Sequence, residues 1–231
     1  VAESLRQYAD VLEIASDFEG ALHEVIKNTV KEHKRIIFNG NGYDDTWIKE
    51  ATEKRGLLNL RTTPDAATAL LEKKNIDMLS LHKVLSPVEI ESRYETTLEN
   101  YCKTVNIEAL TMVDMAKKEI LPAVEGYAGD LSKTLSAKLD AVSGLSCKYE
   151  KATILKLSSL TDEIAEATSA LESSLIKMKT ISDITEESYF IRDVILQKMA
   201  ELRVVCDEAE TLTAEKYWPF PTYSDLLFGV K

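Results

Sequence analysis

The residues with chemistry to offer are three histidines, three cysteines and several paired carboxylates. None of them falls into a catalytic or metal-binding spacing. His23 and Glu24 begin the H-E-x-x-H pattern of a helical zinc site, but Lys27 stands where the second histidine belongs. His33 lies too far along to complete it, and His82 is isolated. NGNG at residues 39–42 lacks the G-K-[ST] of a phosphate loop, and no G-x-G-x-x-G leads into a helix at the right spacing. It reads as a turn, because Gly and Asn tolerate positive φ. Asp44-Asp45, Asp162-Glu163 and Glu186-Glu187 fall near expected helix starts, where negative charge complements the helix dipole. Glu91, Glu95 and Glu99 repeat at a spacing of four and read as a solvated face. Cys102, Cys147 and Cys206 are odd in number and far apart, unlike a zinc site or a disulfide framework. They read as reduced thiols, with Cys102 and Cys206 as packing residues. The sequence therefore assigns no catalytic, cofactor-binding or metal-binding residue.

The elements that would position any site are helices. The strongest is residues 86–121. Ser86 caps it, Pro87 suits its first position, and Glu89 falls at the capping-box spacing. Tyr94, Leu98, Tyr101, Val105, Ala109, Met112, Ala116 and Ile120 then recur in steps of three and four, which is one helical face. A helix of this length spans roughly 50 Å and must bury its stripe on other helices. Pro122 marks a kink or boundary after it. Leu157, Ile164, Leu171 and Met178 recur every seven residues, a seam typical of antiparallel bundles. Ile191, Ile195, Leu202, Val205, Ala209 and Leu212 drive a last long helix. Short connectors predict three long helices running up-down-up.

Around this bundle the chain divides four ways. Residues 1–38 are helical, with a bend or break at residues 17–20. Residues 39–85 are loop and short helices, with Thr63 capping one and residues 75–82 forming another. Residues 86–214 are the bundle. Residues 215–231 are an irregular tail with two prolines among Tyr217, Trp218, Phe220, Tyr223 and Phe228. So aromatic a tail needs cover, either from its own bundle or from another subunit. The fold class is all-α: a long antiparallel bundle with short helices and loops packed on it.

The 231 residues carry a formal net charge of -11. That charge argues against nucleic acid and anionic lipid, since both demand a basic face. No run is apolar enough to span a bilayer. Val1 falls already in helical pattern, which reads as a piece of a longer polypeptide. The residues alone lead to an acidic, cytoplasmic, helical module without a visible active site, with an independent helical protein-interaction module as the alternative reading.

Four blocks carry a more specific resemblance: VAESLRQYADVLE (residues 1–13), KRIIFNGNGYDDTWIKEATEKRGLLNLRTTPDA (34–66), SRYETTLENYCKTVNIEALTMVDMAKKEILPAV (92–124) and KYWPFPTYSDLLF (216–228). In this order they resemble the C-terminal region of type III glutamine synthetases. The resemblance implies a parent enzyme, a ligase that joins glutamate and ammonia with ATP and divalent metal (Mg), through a γ-glutamyl phosphate. It also implies an upstream catalytic domain of the same chain that holds the catalytic, ATP and metal residues. None of those motifs occurs here, so no residue is carried over. Residues 1–38 are then expected to close that domain. The region is expected to act in structure or assembly of a homo-oligomer, with the loop at residues 38–43 placed toward or away from the parent's active site.

Overall fold

The computed structural model describes residues 1–229; Val230 and Lys231, at the end of the expected aromatic tail, and the Tyr223 side chain lie outside the described residues. The fold is all-α, with no strand among the described residues. The chain forms two units, residues 1–97 and residues 98 onward.

The first unit holds α1 (Ala2–Glu13), α2 (Phe18–His33), α3 (Asp45–Lys49), α4 (Thr63–Thr68), α5 (Lys73–Leu81) and the start of α6 (Pro87–Met115). Local chemistry sets these boundaries. Asp17 stops the chain from continuing α1 into α2 by accepting from the Gly20 N–H at 3.1 Å. Asp44 caps α3 through the Thr46 N–H at 2.9 Å. Thr62, one residue earlier than the sequence suggests, caps α4, because its hydroxyl also donates to the Asp65 carboxylate at 2.5 Å. At α6 the capping box forms: Ser86 N–H donates to Glu89 at 2.7 Å, and Glu89 N–H donates to Ser86 Oγ at 3.3 Å. Ala51, Pro64, Ala67, Ile90 and Tyr94 are buried in this unit.

The second unit is the bundle. α6 does not stop at Pro122. It passes through a π turn (Ala116–Ile120) directly into α7 (Leu121–Ala141). Two constraints explain the π turn. Ala116, Ile120 and Val124 are all buried at successive steps of four, and each such step overshoots an α-helical turn by about 40°. The wider π turn, closed by the Leu121 N–H on the Ala116 carbonyl, brings the stripe back into line. It also falls where Pro122 has no N–H to give. Of the kink or boundary expected at Pro122, the boundary does not form, and the helix runs on through the π turn. A second π turn (Ile191–Ile195) joins α9 (Ile184–Phe190) to α10 (Leu196–Leu212), again between two buried residues four apart.

Between them runs α8 (Lys148–Met178). Its ion pairs give the direction of its neighbours. Lys138 pairs with Glu150 and Lys117 with Glu172, so partner numbers rise along α8 as they fall along the preceding helix. On its other side Lys156 pairs with Glu208, and Lys177 lies over the Phe190 ring at 5.5 Å. Both pairings are antiparallel, giving the up-down-up order. The heptad residues Leu157, Ile164, Leu171 and Met178 are all buried, with Leu160 and Leu175 beside them. Cys102 and Cys206 are buried in the same core, and desolvation pushes both thiols up to about 11, so they stay protonated.

The tail does two things. Through Phe220 it folds back on the bundle. Tyr217 donates its hydroxyl to Asp130 and tilts against Tyr127 at 5.3 Å, while Trp218 and Phe220 meet edge to face at 6.0 Å and pack on the core. Beyond it the short helix α11 (Tyr223–Phe228) leaves Leu226, Leu227 and Phe228 exposed.

Leu98 and Leu171 are fully buried, whereas Met112 is half-buried and lines a cleft of about 250 Å³ with Leu202, Trp218 and Phe220. Leu98→Ala and Leu171→Ala are expected to cost about 2–5 kcal/mol each in denaturant unfolding. Met112→Ala is expected to cost clearly less, because part of its surface already meets solvent. Equal losses at all three positions would contradict this packing.

Candidate functional site

The sequence-level candidates for chemistry are dispersed by the fold. His23 and Glu24 are exposed on α2, and His33 is exposed at its end. His82, just after α5, faces Glu3 of α1 at 2.9 Å. Asp44 is a cap, and its carboxyl is held below the usual range by the Thr46 backbone N–H. Glu91, Glu95 and Glu99 are exposed. Among the described residues, no three or more His, Cys, Asp or Glu side chains are placed to share a metal ion. The three cysteines are free thiols.

What the fold does build is a clasped loop beside an uncovered pair of helices, both in the first unit. The loop starts at Phe38, whose ring stacks on Trp47 at 3.7 Å and 18°. Arg55 closes it. Its guanidinium lies 4.9 Å from the Trp47 ring centroid and 5.8 Å from that of Phe38. The same group donates to the Ile37 carbonyl at 2.8 Å, to the Arg35 carbonyl at 3.2 Å and to Glu50 at 2.6 Å. One planar fork thus fixes both arms of the loop. Gly40 is required here, since a Cβ at that position would lie 2.6 Å from the Phe38 ring. At the tip, Tyr43 N–H donates to Asn41 Oδ1 at 3.1 Å, and the Tyr43 side chain is 98% exposed. Sequence reasoning places the loop but not the clasp. Arg55 lies too far along the chain for any local spacing rule to connect it with Ile37 and Phe38.

The helix pair is α1 and α2. They touch through Thr29, whose hydroxyl bonds the Tyr8 hydroxyl at 3.1 Å. Neither helix contains a single buried residue. Leu5, Val11, Ile14, Phe18, Ile26 and Val30 are all exposed, and Ile36 and Ile37 extend the set toward the clasped loop. Helices of this length draw their stability from a packed apolar face; on α1 and α2 Leu12, Leu22 and Val25 are half-buried and the rest of that face is open. α1 is tied instead by charge. Arg6 bridges Glu3 at 2.7 Å and Asp10 at 2.5 Å, Gln7 donates to Glu3 at 2.8 Å, and His82 completes the cluster. These bonds, Arg6 first and then Gln7, hold the Glu3 carboxyl down at about 2.

A depressed carboxyl favours the folded state above its unfolded value, near 4.5, and that contribution is lost as pH falls toward 2. Hydrogen exchange in α1 is therefore expected to be independent of this cluster above about pH 5, after correction for intrinsic rates. Protection should fall between about pH 4.5 and 2, and Glu3→Gln should remove that acid step. An identical acid profile in Glu3→Gln would show that the cluster does not anchor α1.

With this geometry in view, known proteins identify the lineage. The family model described as "Glutamine synthetase C-terminal domain" matches residues 21–138. A "Glutamine synthetase" of Butyrivibrio fibrisolvens is 38% identical over 90% of this chain and 30% of its own length. A "Type-3 glutamine synthetase" of Dictyostelium discoideum is 33% identical over 99% of this chain and 32% of its own length. A "Glutamine synthetase" of Bacteroides fragilis is 23% identical over 90% of this chain. The chain thus spans about a third of the length of the curated relatives it matches. Among its described residues no helix is long and apolar enough to cross a membrane. The open face of α1 and α2, the clasped loop and the bundle stripe from Leu98 to Val124 all lie within or beside the matched segment, and the chain belongs to the glutamine synthetase family, as the C-terminal region of the type III enzymes.

Proposed function

We propose that this chain is the non-catalytic, structural part of a type III glutamine synthetase. The rest of the same polypeptide, upstream, carries the ligase chemistry that makes glutamine from glutamate, ammonia and ATP with Mg. The carrying observation is the open face of α1 and α2. Two helices that bury no residue fully, and leave Leu5, Val11, Ile26 and Val30 exposed, draw little of their stability from this chain's own packing. Each large apolar side chain left in water forgoes about 1.5–3 kcal/mol that burial would contribute. Residues 1–38 therefore seat against the upstream catalytic domain and close it. Residues 39–85 present the clasped loop beside that seam. The bundle, residues 86–214, stiffens the subunit and offers surface to other copies in a homo-oligomer, with residues 215–231 as an additional contact element. The setting is cytoplasmic, in glutamine biosynthesis and nitrogen metabolism. ATP and Mg are held outside this chain.

The test is charge placed on the open face of the full chain. Leu5→Asp with Ile26→Asp is expected to reduce glutamine synthesis at least tenfold and to release smaller species in analytical ultracentrifugation. The bundle's helical circular dichroism should persist. Unchanged turnover together with unchanged assembly would overturn the proposal. Residues 1–231 alone are expected to make no glutamine, and turnover by them would place the chemistry in this chain instead.

A further inference from the structure

The clasped loop of the first unit is ordered without covering anything in its own chain. Residues 39–46 are all exposed. A loop that buries nothing is ordinarily left to fluctuate, because fixing each residue costs conformational entropy. Here contacts at two levels fix it. Arg55 and the Phe38–Trp47 stack hold its root. At its tip, Asn41 to Asp44 form a β-turn. The Asp44 N–H donates to the Asn41 carbonyl at 3.4 Å, and the Tyr43 N–H donates to Asn41 Oδ1 at 3.1 Å. Asp44 is pinned in turn as the cap of α3 by the Thr46 N–H at 2.9 Å. The backbone on both sides of Tyr43 is thereby set, yet its side chain stays almost wholly exposed. A Cβ added at Gly42 would meet nothing within 4 Å, so the turn also stands in open space on that side.

Order of this kind serves a contact made from outside. Tyrosine carries a large apolar area and a hydroxyl on two rotatable bonds, and it docks at small entropic cost once its backbone is fixed. The side from which the contact comes follows from the loop's root. Ile36 and Ile37 are exposed there and continue the open apolar set of α2 up to Phe38. Whatever covers that set therefore lies against the root of the loop. The chain spans about a third of the length of its relatives, and the matching family model is that of their C-terminal domain. The upstream part of the same polypeptide is thus the occupant at hand. Resting on the reading that residues 1–38 seat against that upstream domain, we propose that Tyr43 is the anchor of the seam. Its ring enters an apolar slot on the upstream domain of its own chain, and the Arg55 clasp holds it at the docking geometry.

The test uses the full-length polypeptide with Tyr43→p-benzoylphenylalanine, a photoreactive side chain of similar shape. Irradiation is expected to join position 43 to a peptide upstream of Val1, within one polypeptide even when isotopically labelled and unlabelled copies are assembled together. A crosslink between the two isotopic forms, or one confined to residues 1–231, would overturn the assignment. Hydrogen exchange then measures what the anchor contributes. Tyr43→Ala should speed exchange of the α1 and α2 amides at least fivefold, whereas Tyr43→Phe, which keeps the ring, should not. The Tyr43 side chain touches almost nothing in this chain, so such a loss cannot come from unpacking the loop itself. Arg55→Lys keeps the charge, loses the planar fork and should act in the same direction. Unchanged exchange in Tyr43→Ala would sink the anchor. If Leu5→Asp with Ile26→Asp still impairs turnover and assembly in that case, the seam stands without it; if both are silent, the seam fails as well.

Discussion

The bundle depends on the buried face of α8. Leu157, Leu160, Ile164, Leu171, Leu175 and Met178 are all buried, and this one helix packs on both α7 and α10. A helix with neighbours on two sides needs a wide apolar face, and the alternation of heptad residues with Leu160 and Leu175 provides it. Even its buried hydroxyl is matched: Thr168 donates to the Ile164 carbonyl at 2.7 Å. Of its antiparallel ion pairs, Lys156–Glu208 is half-exposed on both sides and sets direction more than stability, whereas Lys138 reaches in to a buried Glu150. The flanking helices then adjust to α8 rather than the reverse. Both place a π turn where their buried residues step by four, so the accommodation is made in the backbone of the neighbours.

How much of this was legible follows from the range of each signal. The α8 seam reads directly, because a seven-residue recurrence is local and survives any choice of partner. The stripe of α6 reads correctly in phase but too narrowly. Cys102 and Val113 are buried, while Tyr101 and Met112 sit half-exposed at its border. A single-face template misses residues that turn toward a second neighbour. Pro122 marks an irregularity, a kink or a boundary, without saying which, and the structure places a π turn just before it. Proline breaks an α-helix through the N–H it lacks, and a π turn just before it removes most of that penalty. The signal was present as the four-step run Ala116, Ile120, Val124. The tail's aromatic composition announces that it needs cover, but not that cover ends at Phe220 and leaves Leu226, Leu227 and Phe228 in solvent. The Arg55 clasp could not be read at all, since it joins two segments by stacking and carbonyl contacts that carry no periodicity.

The two units spend apolar surface in opposite ways. In the second, the long helices hide their stripes within the chain. In the first, α1 and α2 carry as clear an apolar pattern and bury none of it fully, with Leu12, Leu22 and Val25 half-buried and Leu5, Val11, Ile26 and Val30 exposed, while Arg55 and the Glu3 cluster hold the local geometry through polar contacts. That contrast has a mechanical meaning. A face that must be ready to receive a partner cannot be the source of its own order, because it would collapse onto itself. Polar clasps solve this by fixing backbone without covering side chains. Arg55 grips carbonyls from behind the loop and leaves Tyr43 outward. Arg6 and Gln7 grip Glu3 along α1 and leave Leu5 and Val11 outward. The order of the first unit is thus maintained by groups that water competes for, and its apolar side chains stay available. If the proposed docking covers this face, the burial it adds would couple the folding of this unit to that contact.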